Sequence, residues 1–229
     1  MTGQASRYDM YRLIHKALRG FMVDTLAAVG RMDADDDGEV AAVLGRVRSL
    51  LTLCASHVEH ENRFVHTAME ARAPGSSADI ASDHDHHARD LAALAAAVGA
   101  VEAAHGPARA DAAHALYRRL ALFVGENLAH MEAEESHNNG VLWRTHRDEE
   151  LQAIEQAIVA AQPPEEMMLV LRWMLASATP AERANLLGGI RAMAPAEAFA
   201  GMMALAQSVL APADHDKLTR ALAAPALAA

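Results

Sequence analysis

Apolar residues recur every three to four positions along most of the chain, and no stretch alternates with the two-residue period of a strand. A first helix is expected over about 8–29, with Tyr11, Leu18, Met22, Leu26 and Val29 on one stripe. His15 falls on that stripe with them. The pattern lapses over 33–38 and resumes over about 39–70, where Val43, Val47, Leu50, Cys54, His57, Glu61 and Phe64 are in phase. Pro74, Gly75, Ser76 and Ser77 read as a loop. Ser82, with Asp85 three residues on, resembles the start of a third helix. Its stripe is His84, His87, Leu91, Leu94 and Val98, and Gly106-Pro107 ends it. Pro107 suits the first turn of a fourth helix, whose stripe is Leu116, Leu120, Phe123, Asn127, His130 and Glu134. Asn138, Asn139 and Gly140 are expected to stop it.

Four long helices joined by short polar loops predict an all-α fold, an up-down-up-down four-helix bundle over residues 1–142. Beyond it the helices shorten. A fifth runs to about 161 and ends at Pro163-Pro164; the rest are punctuated at Thr179-Pro180, Pro195 and Pro212. Thr179 with Glu182 marks another helix start. Six of the 12 Met residues lie between positions 167 and 203. Residues 143–229 are therefore expected to form an additional C-terminal helical layer, whose flexible Met-rich faces suit a second copy or a protein partner.

Composition narrows the classes further. The 229 residues are 52% hydrophobic but only 4% aromatic, which favours helix over strand. A net charge of −10 lacks the basic footprint of a nucleic-acid surface. Cys54 is the single cysteine, so no intrachain disulfide can form. The first ten residues are polar, without the apolar core of a signal peptide. The apolar run over 167–178 is interrupted by Arg172 and is too short for a bilayer. These features predict a cytoplasmic protein with neither membrane nor nucleic acid as partner.

The chemistry lies in a repeat. His57 to Glu61 and His130 to Glu134 both have the spacing His-x-x-x-Glu, each downstream of a further His: His15, 42 residues before His57, and His84, 46 before His130. His66–Glu70 and His146–Glu150 also fit the letters, but helical phase separates them. At about 100° per residue, His57 and Glu61 lie about 40° apart on the apolar stripe, whereas His66 points about 180° from His57. His66–Glu70 and His146–Glu150 are thus expected to be surface pairs. Buried carboxylates are costly unless paired or bound to metal. Four His and two Glu on apolar stripes suit iron, manganese or zinc.

His15, His57-x-x-x-Glu61, His84 and His130-x-x-x-Glu134-Glu135 together resemble the hemerythrin-like HHE cation-binding family over about residues 8–142. The resemblance implies a non-haem di-iron centre with carboxylate bridges and an oxo or hydroxo bridge, in which zinc or manganese can substitute. By position it implies that His15 and His57 serve one iron, His84 and His130 the other, and that Glu61 and Glu134 span both. The oxygen-carrying members place His-x-x-x-His on the third helix and Asp in the fourth-helix motif. Here His84 and His87 are three apart and the motif ends in Glu134. That carboxylate-richer set is similar to bacterial HHE proteins and to the hemerythrin-like domain of an iron-sensing F-box protein.

The reading that follows is a di-iron protein meeting a diatomic or peroxide ligand: oxygen, peroxide or nitric oxide. A non-catalytic iron or oxygen sensor and an oxygenase of a small organic substrate are the alternatives. His87 is an alternative to His84 as helix-three ligand, or an addition to it. His60 and His137 fit outer positions, Tyr11 a hydrogen bond at the site, and Cys54 a small buried hydrophobe. Two patterns are excluded. Asp33, Asp35, Asp37 and Gly38 begin like a calcium loop, but its twelfth position is Leu44. Glu134-x-x-His137 and Glu102-x-x-His105 match the ferritin-like spacing, yet the second abuts the Gly106-Pro107 break.

Overall fold

The computed structural model describes residues 7–223, and all regular structure among them is helical, without a strand. Residues 1–6, part of the polar start considered above, lie outside the described residues. Among the described residues no helix is long and apolar enough to cross a membrane.

The described residues divide into two compact units: 7–12 with Phe21–Gln162, and Leu13–Gly20 with 163–223. The first extends beyond the 142/143 boundary read from the sequence. Its helices are α1 (Tyr11–Arg31, shared with the second unit), α2 (Asp37–His60), α3 (Thr67–Arg72), α4 (Ala78–Ala103), α5 (Pro107–Ala133), α6 (Asn139–Thr145) and α7 (Asp148–Ala161). α4 packs along both α2 and α5.

α2 begins where the Asp36 carboxylate accepts the N–H groups of Gly38 and Glu39, so the acidic loop is a helix cap. α4 begins at Ala78 rather than at Ser82, the start expected from the sequence. Glu70 causes this shift: its carboxylate takes the N–H groups of Gly75 and Ser77 and the Ser77 hydroxyl, placing the N-cap at Ser77, five residues before Ser82.

Two π turns interrupt otherwise continuous helix. Glu61–His66 joins α2 to α3, and Glu134–Asn138 joins α5 to α6. Each opens on the Glu of a His-x-x-x-Glu motif. The second also carries the chain through Asn138, Asn139 and Gly140, where the sequence suggested a stop. Both Asn side chains are buried and bonded: Asn138 Nδ2 donates to the Tyr11 hydroxyl (3.1 Å) and Asn139 Nδ2 to Asp9 (3.0 Å). They act here as internal polar links, and the helix ends only at His146.

α7 is tied to the start of the chain. Arg7 donates to the carbonyls of Trp143 and His146, both at 2.7 Å, and to Asp148 at 2.6 Å. The Tyr8 hydroxyl bonds Glu155. Beneath these links Met10, Tyr11, Val65, Met69, Val141, Leu142 and Leu151 form an apolar cluster.

In the second unit, α8 (Pro164–Ser177), α9 (Pro180–Met193), α10 (Ala196–Val209) and α11 (Pro212–Ala223) enclose Leu171, Leu175, Leu187, Ala206, Leu210 and Leu218. From α7 onward each helix begins 16 residues after the last, at 148, 164, 180, 196 and 212. Two-residue extended links separate them, and Pro stands at or beside most of the starts because its fixed φ and missing N–H suit a first turn.

Candidate metal site

Glu61 and Glu134, the first residues of the two π turns, are 3% and 0% exposed, and each offers a carboxylate oxygen within 4.8 Å of the other's. Glu61 is pushed well above the usual carboxylate range, by burial first and then by the charge of Glu134. Two carboxylates so placed require a cation or a proton between them.

Imidazoles surround the pair. His57 Nε2 lies 3.2 Å from Glu61, one helical turn before it, and His130 Nε2 stands 3.4 Å from Glu134 in the same relation. His84 of α4 reaches both carboxylates, 3.5 Å from each, and its Nε2 is 3.1 Å from His130 Nε2. One ligand atom from each of Glu61, His84, His130 and Glu134 falls within a 4.8 Å set, and all four residues are buried. His15 of α1, His57, Glu61 and Glu134 offer a second such set. The two sets share both carboxylates. These buried His and Glu clusters can hold a metal ion.

The outward nitrogens of the inner imidazoles are held in turn. His84 Nδ1 bonds Asn62 Oδ1 at 2.8 Å, which leaves Nε2 with its lone pair toward the carboxylates. His130 Nδ1 faces Asp83 at 3.4 Å. Burial pulls the His130 pKa down, but the hydrogen bonds and charges of Glu134 and Asp83 outweigh it and raise the value. Neither Asn62 nor Asp83 was singled out in the sequence, although each adjoins a motif residue, Glu61 or His84.

The remaining sequence candidates fall outside the sets. His87 is 4% exposed and sets its ring edge-on to His130, centroids 4.5 Å apart, while its buried Nδ1 has no hydrogen-bond partner. Burial, then the neighbouring His130 and His84, lower its pKa to about 4. The structure thus brings His84, and not His87, to the carboxylates. His60 turns away, to Ser56 Oγ at 3.4 Å. Tyr11 is fully enclosed and bonded by Asn138, and burial, then Glu61 and Glu134, hold its hydroxyl protonated. Burial also pushes the Cys54 thiol up to about 12, which leaves it unreactive. His137 is exposed and donates to the Ser76 carbonyl at 2.8 Å.

Two expected surface pairs are corrected. His66 is buried (5% exposed) and lies parallel to His84, centroids 5.0 Å apart. The π turn is the cause: a turn closed by i→i+5 bonds absorbs one extra residue, so His66 stands about 80° from His57 instead of about 180°. Its supposed partner Glu70 holds the loop before α4. His146 is also buried, with Nδ1 2.8 Å from the Thr145 hydroxyl, while Glu150 pairs with Arg72 at 2.8 Å.

No family model, curated protein or solved structure matches the chain.

Proposed function

We propose that the cluster is a non-haem di-iron centre of the hemerythrin-like kind, set in an antiparallel four-helix bundle, and that the protein binds or reacts with oxygen, peroxide or nitric oxide. The observation that carries the reading is the pair of buried carboxylates common to two overlapping His and Glu sets. A shared carboxylate pair is what two neighbouring cations need. Two further features support it. Both Glu residues come from His-x-x-x-Glu motifs that end in a π turn, and the inner imidazoles have their outer nitrogens fixed.

Iron in such a site would supply redox chemistry and open coordination positions for a small molecule. The chain's own part is to hold the metals among buried side chains. His15, His57, His84 and His130 would provide ring nitrogens to the metals, and Glu61 and Glu134 carboxylate oxygens. Asn62 and Asp83 orient two of the rings. Tyr11 stays protonated beside the carboxylates, so it can donate but does not compete as a second anion.

The test combines a metal assay with absorbance of the reduced, iron-loaded protein on addition of peroxide or nitric oxide. Two irons per chain and a spectral change are expected. Full iron retention in a His57→Ala preparation would overturn the site assignment.

A further inference from the structure

His66 occupies a place that no part of the ligand set explains. It belongs to a π turn, which is rarer than α-helix and clusters at functional sites. The consequence of that turn is to swing an imidazole from the solvent side into the protein. There its Nε2 is buried without a hydrogen-bond partner, in a side chain only 5% exposed. An unmet buried polar atom is destabilising, so a purely structural role is better served by an apolar residue.

The ring is also well placed. It lies parallel to His84 at 10°, with centroids 5.0 Å apart, and so lines the side of an imidazole that reaches Glu61 and Glu134. Face-to-face offset keeps His66 beside the centre: two imidazoles directed at one ion from adjacent positions do not stack. Glu70, one turn on, is engaged with Ser77 and Gly75 and does not occupy the ring. The corresponding π turn of the other repeat ends on Asn138 and is followed by Asn139, whose amide nitrogens donate to Tyr11 and Asp9. Of the imidazoles in the two turns, His66 is buried, whereas His137 of the second is exposed and donates to the Ser76 carbonyl.

We propose that His66 is the binding residue for the exogenous molecule: its Nε2 hydrogen-bonds a small anion or peroxide-class ligand held next to His84. The inference rests on the di-iron reading above and assigns that site a recognition group. It requires no covalent step.

Azide titrated into the iron-loaded full-length protein, followed by absorbance, tests it. His66→Leu is expected to keep its iron, to melt no lower than wild type, since it removes a buried unpaired nitrogen, and to weaken azide binding about tenfold. His66→Gln, which retains a donor, should recover most of the loss. Unchanged azide affinity in an iron-replete His66→Leu protein would overturn the proposal. So would loss of iron in both variants, which makes His66 a metal ligand, or loss of folding in both, which makes it structural. If the wild-type protein takes up no iron, the di-iron reading fails first and this inference with it.

Discussion

Asn62 Oδ1 stands 2.8 Å from His84 Nδ1, and through that single bond an exposed residue sets the tautomer of a buried one. With Nδ1–H donating outward, Nε2 presents a lone pair between Glu61 and Glu134. Asn62→Ala leaves His84 free to turn or to protonate the other nitrogen. Metal affinity should fall by about 10- to 100-fold, the usual cost of losing such a partner. Asn62→Asp, which keeps the acceptor, should lose far less. Competition with a chelator of known affinity measures both.

Glu70 gives the acid limb of stability a specific origin. The Ser77 hydroxyl, then the N–H groups of Gly75 and Ser77, hold its pKa down at about 2. A folded value below the unfolded one favours the folded state wherever the carboxylate is ionised in both states, above about pH 4.3. That contribution is lost as pH falls from there toward 2. Urea midpoints taken from pH 6 to pH 2.5 should drop, and Glu70→Gln should flatten the drop and lower the midpoint at pH 6. An unchanged pH profile in the variant would remove Glu70 from the account.

The capping box at the start of α9 is independent of the metal site. Thr179 Oγ1 accepts the Glu182 N–H at 3.3 Å, while Glu182 accepts the Thr179 N–H at 2.8 Å and also binds Lys16 at 2.8 Å. Thr179→Ala should destabilise the second unit by about 1 kcal/mol. Metal stoichiometry should not change. Thermal melts monitored alongside metal content separate the two effects.

Helical phase goes a long way in this chain, and it fails for a definite reason. From His57 to Glu61 and from His130 to Glu134 the chain is α-helical up to the Glu that opens each π turn, so counting at about 100° per residue selects residues that the structure brings together. After each Glu the count goes wrong, because a π turn adds a residue without leaving any mark in composition. The count therefore points His66 to solvent, whereas Asn138, Asn139 and Gly140 suggest a stop by residue type alone, their buried hydrogen bonds being invisible in sequence. The start of α4 was misplaced because its loop is fixed by Glu70, seven residues before Ser77, and not by a residue at the start itself. The 16-residue rhythm from α7 on is hidden by its N-caps, which are Arg147, Pro163, Thr179 and Pro195: different side chains in one backbone role.

Metal and fold should be coupled through Glu61 and Glu134. Without a cation the two carboxylates face one another out of water, and burial and mutual repulsion force a proton onto the pair. Removing metal with a chelator should therefore lower the melting temperature of the wild-type protein. Glu134→Gln separates the two effects of that carboxylate. It removes one of the facing charges and keeps nearly the same volume, so the metal-free variant should melt above metal-free wild type by the equivalent of about 1–3 kcal/mol. The same change deletes a ligand common to both sets, so added iron should no longer raise the variant's melting temperature. Calorimetry of both proteins with and without iron gives four midpoints. The expected order places wild type with iron highest, wild type without it lowest, and the two Glu134→Gln samples together between them. A variant that still gains stability from iron would show that Glu134 does not hold the metal.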